Sequence, residues 1–163
     1  MKDHTMTALT QALLAQAASG NLYTDREVSS FSPAEIRQTI ADLVTQERMD
    51  LAHALVDAGL SLYPESEDVV SISALVAELR QDWGSAQALL QKLIALQGGH
   101  GTPFAWQHLV RVLRCQFENT QALAAAEQAV SLHPGQITLE QELQALREMH
   151  AEHQLLATPG HTH

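Results

Sequence analysis

The sequence predicts an all-α fold, and three observations carry that prediction. The apolar residues make up 45% of the chain but are mostly Ala and Leu, with only 4% aromatics, 8 Gly and 5 Pro. Straight-chain and small residues favour helices, whereas sheets draw on β-branched and aromatic side chains. Apolar positions recur at three- and four-residue steps along nearly the whole chain. Finally, the sequence resembles itself at a period of about 34 residues, the mark of stacked helical units.

The first helix follows Met6, Leu9, Leu13 and Ala17 and stops at Ser19-Gly20. A linker from Asn21 to Ser32 completes an N-terminal segment, 1–32. Ser32-Pro33-Ala34-Glu35 then reads as an N-cap with Pro at the first helical position and an acid at the third. Beyond it, periodicity predicts helices at 35–47, 50–62, 68–81, 84–96, 104–116, 119–132 and 138–155. Aligned on Pro64, Gly98 and Pro134, six of these form three pairs, 33–66, 67–100 and 103–136, within a repeat region 33–136. The second helix of each pair opens on a small residue (Ala52, Ala86, Ala122). Seven residues on stand Gly59, Leu93 and Ala129, followed by Leu62, Leu96 and Leu132. Small side chains there let helices approach closely. Gly98-Gly99-His100-Gly101 is a lengthened turn; it lacks the Lys-Ser/Thr and the preceding strand of a phosphate loop. The last helix, in segment 137–157, carries a Leu139, Leu143, Leu146 stripe that caps the stack, and 158–163 is expected to be a disordered tail.

At this point the chain resembles the tetratricopeptide repeat (TPR) family. Trp106-Gln107-His108-Leu109 reproduces the W-x2-L start of that motif, with Ala122, Ala129 and Pro134 following in order. Asp82-Trp83-Gly84-Ser85-Ala86 is similar to the turn before a second helix. The family's Gly and Tyr of the first helix are replaced by Ile40 and Leu43, Ala74 and Ala77, and Val110 and Leu113. The resemblance implies a right-handed superhelix of three TPR-like helix pairs, with an N-terminal helix and a C-terminal capping helix. It also implies a concave groove lined by first helices. The positions it carries over are Ala34, Arg37, Ala41, Val44 and Thr45; Asp68, Ser71, Leu75, Glu78 and Leu79; and Phe104, Gln107, Arg111, Arg114 and Cys115. Arg111 and Arg114, three apart on one helix, can face one carboxylate, or one of them can pair with Glu78. Chaperone-binding TPR proteins use Lys and Asn to hold a C-terminal carboxylate; the matching positions here are Arg37 and Ala41, so that clamp is not expected.

The layout also resembles the class II chaperones of type III secretion. Those have an N-terminal helix, a linker (here Ser19-Gly20-Asn21-Leu22), three TPRs and a closing helix. Thr102-Pro103-Phe104-Ala105-Trp106 is similar as well, while that family's tyrosine-rich first repeat is absent. What the resemblance implies is a non-catalytic module that holds a protein or peptide client in its groove, as a chaperone or, alternatively, as an assembly scaffold.

Charge narrows the partners. Nine Lys and Arg against 19 Asp and Glu give a formal charge of -10, which argues against nucleic acid and anionic membranes. No run is long enough to span a bilayer, so membrane insertion is not expected. The single Cys115 cannot form an internal disulfide, and a cytoplasmic setting without secretion is expected. From Met49 to Leu79 there is no Lys or Arg, a stretch read as a solvated acidic face or, alternatively, as a surface for a basic partner. Nine histidines raise a metal-protein or hydrolase alternative. However, His150-Ala151-Glu152-His153 is not an H-E-x-x-H pair, His161 and His163 lie in the tail, and His150 reads as a packing residue. No cofactor, metal site or catalytic set is implied. A homodimer through the N-terminal helix is expected because Leu9 and Leu13 need cover.

Overall fold

In a computed structural model, residues 6–19 and 28–157 are described. The expected disordered tail, the Ser19-Gly20-Asn21-Leu22 match beyond Ser19, and His161 and His163 lie outside them. Among the described residues there are eight helices and no strand: α1 (Ala8–Ser19), α2 (Pro33–Thr45), α3 (Met49–Leu62), α4 (Glu67–Leu79), α5 (Trp83–Leu96), α6 (Pro103–Cys115), α7 (Asn119–Leu132) and α8 (Ile137–Ala157). They fall into two compact units, divided between Ser85 and Ala86 within α5.

The helix starts follow from capping chemistry. Ser32 Oγ accepts the Glu35 N–H at 3.2 Å while the Glu35 carboxylate accepts the Ser32 N–H at 2.9 Å, a closed capping box before Pro33. Ser66 and Thr102 accept the N–H of Val69 and Ala105 in the same way, and Pro103 opens α6. Asp82 accepts the Ser85 N–H at 3.2 Å. Hydrogen bonds from Ser85, side chain first and then backbone, hold the Asp82 carboxyl below its ordinary value of 3.8. A lowered carboxylate stabilises the fold fully above that ordinary value, and the contribution is lost as pH falls through the folded one.

The helix ends share one device. After α2, Glu47 takes φ 58°, after α4 Gln81 takes φ 58°, and after α6 Phe117 takes φ 61°. Around each, the N–H of the following residue reaches back five: Arg48 to Leu43, Asp82 to Ala77 and Glu118 to Leu113, all at 2.9 Å. The left-handed residue itself bonds three back, to Val44, Glu78 and Arg114. This is the Schellman arrangement, normally made with Gly.

In the first unit α2 packs on α1, α3 and α4, and α3 packs on α4. The core is Ile36, Ile40, Leu43, Leu51, Leu55, Val56, Val69, Ile72 and Val76, with Ala52 fully buried. A Cβ placed on Gly59 would stand 3.2 Å from both Ile36 Cγ2 and Val69 Cγ1, so α3 approaches its neighbours more closely than a larger residue allows. Ile40, Leu43, Ala74 and Ala77, where the repeat family has Gly and Tyr, are all buried, and the apolar substitutes fill the helix contact instead.

Leu9 and Leu13 are 3% and 2% exposed, covered by this same core. The cover they were expected to find in a second chain is thus supplied within the chain, and the reason for a dimer through α1 falls away. A buried polar knot pins α1 in place. The Asp42 carboxylate, 2% exposed, accepts the Thr10 hydroxyl at 3.0 Å, the Thr7 N–H at 3.3 Å and the Gln38 amide at 2.9 Å. An anionic acceptor at a helix N-terminus also meets the positive end of the α1 dipole.

In the second unit α7 packs between α6 and α8. Trp106, Leu109, Val110, Val112 and Leu113 of α6, Ala122, Ala125, Ala126 and Ala129 of α7, and Leu139, Leu143 and Leu146 of α8 are all buried. The lengthened turn after α5 has a clear purpose. Its His100 carbonyl accepts the Trp106 indole N–H at 2.7 Å, and Gly101, at φ 63°, passes so near the indole that a Cβ would lie 2.8 Å from Nε1. The extra residues let the backbone satisfy a buried Trp donor.

Two expectations follow. Gln81→Gly relieves a left-handed strain of roughly 1–2 kcal/mol and returns about 0.5–1 kcal/mol as chain entropy. Thermal unfolding of this variant should rise by about 2 °C. Gly59→Leu should cost about 1–3 kcal/mol by overpacking Ile36 and Val69, whereas Gly59→Ala, which gains helix propensity while crowding the same atoms slightly, should stay near neutral. Denaturant titration distinguishes the two.

Candidate functional site

The amphipathic α6 sends its apolar residues into the core and leaves Gln107, Arg111 and Arg114 on its other face. These three, with Cys115, line one cavity of about 490 Å³. The remaining walls are Phe117 and Asn119, at the turn into α7, and Glu142 and Met149 of α8. All of it belongs to the second unit. Arg114 donates from Nη1 to Glu142, a half-buried ion pair that ties α6 to α8. The α6 end is also tied to α5 by the Gln116 amide donating to Gln87 Oε1 at 2.7 Å. Cys115 is a half-buried free thiol at the cavity wall rather than a fully buried core residue.

The other sequence-predicted positions distribute unevenly. Phe104 is exposed and rests on His108, ring centroids 4.2 Å apart, and is not part of the cavity wall. In the first unit Arg37 donates to Asp68 at 3.0 Å, joining α2 and α4 through two residues expected to face a ligand. Ser71 and Leu75 are half-buried on α4, Leu79 is exposed, and Glu78 is buried. The residues the sequence did not flag are Phe117, Asn119, Glu142 and Met149. Phe117 had a signal: it is an aromatic where the two sister turns carry Glu47 and Gln81.

His150 corrects an expectation. It is exposed, 3.1 Å from the Gln154 amide one turn on, because core contact along α8 ends at Leu146 while the helix continues. Among the described residues no group of three or more His, Cys, Asp or Glu is placed to hold a metal ion, and no helix is long and apolar enough to cross a membrane.

No protein-family model matches the chain, and no curated protein matches it. Solved structures do. MamA is similar at a TM-score of 0.67 and 18% identity, over 87% of this chain and 77% of that one. The Sgt2 TPR domain from Aspergillus fumigatus is similar at 0.65 and 14%, over 80% and 87%. The second TPR domain of human RPAP3, in complex with the HSP70 peptide SGPTIEEVD, is similar at 0.60 and 15%, over 71% and 95%. At these identities the likeness speaks for the fold, and the helix pairs, their turns and the Trp106 motif agree with it: the fold of this chain is that of the tetratricopeptide repeat.

Proposed function

We propose that this chain is a non-catalytic protein-binding module, working in the cytoplasm, that holds a segment of a partner protein against the exposed face of α6. The observation that carries the reading is the cavity in which Gln107, Arg111 and Arg114 converge with Met149 and Phe117. Apolar walls beside directional donors suit a peptide carrying both an apolar side chain and an acidic or carbonyl acceptor. Arg111 and Arg114 both line the cavity, and the Arg114–Glu142 ion pair holds one wall in place. In the first unit, the faces of α2 and α4 that bear Arg37, Ser71, Leu75, Glu78 and Leu79 are proposed to contribute in the same manner. The repeats 33–66, 67–100 and 103–136 are the proposed functional units. The peptide carried by the RPAP3 domain supports a peptide-type ligand in this fold, said of that protein.

Within this reading the client is either one chain kept soluble before its own assembly or export, as a secretion-type chaperone would do, or a standing subunit of a complex. Capture of the protein from its own cells, followed by mass spectrometry, separates the two. One dominant partner that is insoluble alone supports the chaperone, and several stable subunits support a scaffold.

Arg111→Glu should weaken the captured partner at least about tenfold while the helical circular dichroism is retained. Arg114→Glu should instead lower the unfolding temperature, because it sets two carboxylates against each other. Unaltered partner affinity in Arg111→Glu contradicts the site. The peptide SGPTIEEVD is expected to show no binding tighter than about millimolar by calorimetry. Arg37 is already engaged by Asp68, and Ala41 offers no amide to a terminal carboxylate.

A further inference from the structure

The Phe117 side chain is 87% exposed on a backbone held at φ 61°. A bulky aromatic is costly in that conformation, and the sister turns hold Glu47 and Gln81 there, so the turn does not require it. Strain kept without a folding need marks a side chain that serves something else. Phe117 borders two cavities: the α6 cavity with Arg111 and Arg114, and a second of about 370 Å³ between the turn after α6 and the end of α8. Asn119 and Met149 border both as well, so the two adjoin. On α8, Glu142, Leu146, Met149 and His153 stand four, three and four residues apart, which sets them on one face of the helix. That face runs from the first cavity to the far side of the second, about 16 Å along the helix.

The two cavities differ in charge. The first sets two arginines, Arg111 and Arg114, against the single carboxylate of Glu142. The second has Glu118 on its wall and no Lys or Arg, and its His150 and His153 are formally neutral at pH 7. Between these ends stand the apolar Phe117 and Met149. We infer that the second cavity is a further subsite for the client, and that the client segment lies along this face of α8 in one direction. An acidic residue sits beside Arg111, and an apolar residue packs against Phe117 and Met149. A Lys or Arg follows, its stem over Met149 and its charged head reaching Glu118. The inference rests on the protein-binding reading above and adds to it the order of the client's side chains. Phe117 then has its reason: it is the apolar post that the middle residue meets, between two ends of opposite sign.

An array of short synthetic peptides, probed with the full chain, tests this. Each peptide carries Asp, Leu and Lys among Ala and Ser, in every order and at both extended and helical spacing. The expected result is that peptides with Leu between Asp and Lys bind best, one direction exceeding its reversal about threefold. Glu118→Gln should remove the preference for Lys, and Glu118→Lys should turn it into a preference for Asp at that position. Phe117→Gly should weaken the same peptides about tenfold without lowering the unfolding temperature, which shows the fold intact. Binding that falls with Arg111→Glu but keeps its preference for Lys in Glu118→Gln overturns the subsite and leaves the client site standing. So does binding that is unchanged in Phe117→Gly. Binding indifferent to Arg111→Glu, or no peptide bound at all, overturns the client site and the subsite together.

Discussion

The left-handed residue that ends each first helix is the constraint on which the rest depends. With Glu47, Gln81 and Phe117 at φ near 60°, the chain leaves one helix and enters the next within three residues, and the last carbonyls of the first helix are satisfied by the turn itself. In α2–α3 and α6–α7 the two helices lie against each other, and the small residues Ala52 and Gly59 of α3 and Ala122 and Ala129 of α7 are buried, where small side chains let helices approach closely. The same turn places Phe117 and Asn119 at the rim of the α6 cavity. A feature of backbone geometry therefore positions the site.

Much of this was legible in the sequence, and the errors are informative. Every helix was anticipated, but 35–47, 68–81 and 104–116 were read too far toward the C-terminus, since the structure ends them at Thr45, Leu79 and Cys115. The stop signal normally sought is a Gly at the left-handed position; here it is Glu, Gln or Phe, which carry no such signal. Two starts fall earlier than the periodic ranges, at Pro33, as its Ser32 cap implies, and at Pro103. Asp42 was invisible for a different reason: a carboxylate reads as solvated, and only the fold brings Thr7 and Thr10 across 32 or more residues to bury it. Glu142 was missed likewise, being 28 residues from the arginine it pairs with. Local chemistry shows in sequence, whereas pairings between helices emerge only once packing has chosen the faces.

The electrostatics of the site are correspondingly modest. In a chain with nine basic side chains, two stand on one face of α6, yet the structure spends Arg114 on Glu142 and Arg37 on Asp68. Exposed or half-buried pairs of this kind contribute little to stability. They fix orientation instead, holding helices in register and leaving the cavity walls pre-formed before a ligand arrives, which lowers the ordering cost of binding. The solved structures that share the fold do so at 14–18% identity, so the similarity speaks for the fold and not for specificity.

Hydrogen–deuterium exchange of the full chain, with and without its captured partner, tests the central claim most directly. The account requires slowed exchange on partner binding through α6, the Phe117 turn and the middle of α8. Protection confined to α1–α3, with the second unit exchanging as before, would contradict it.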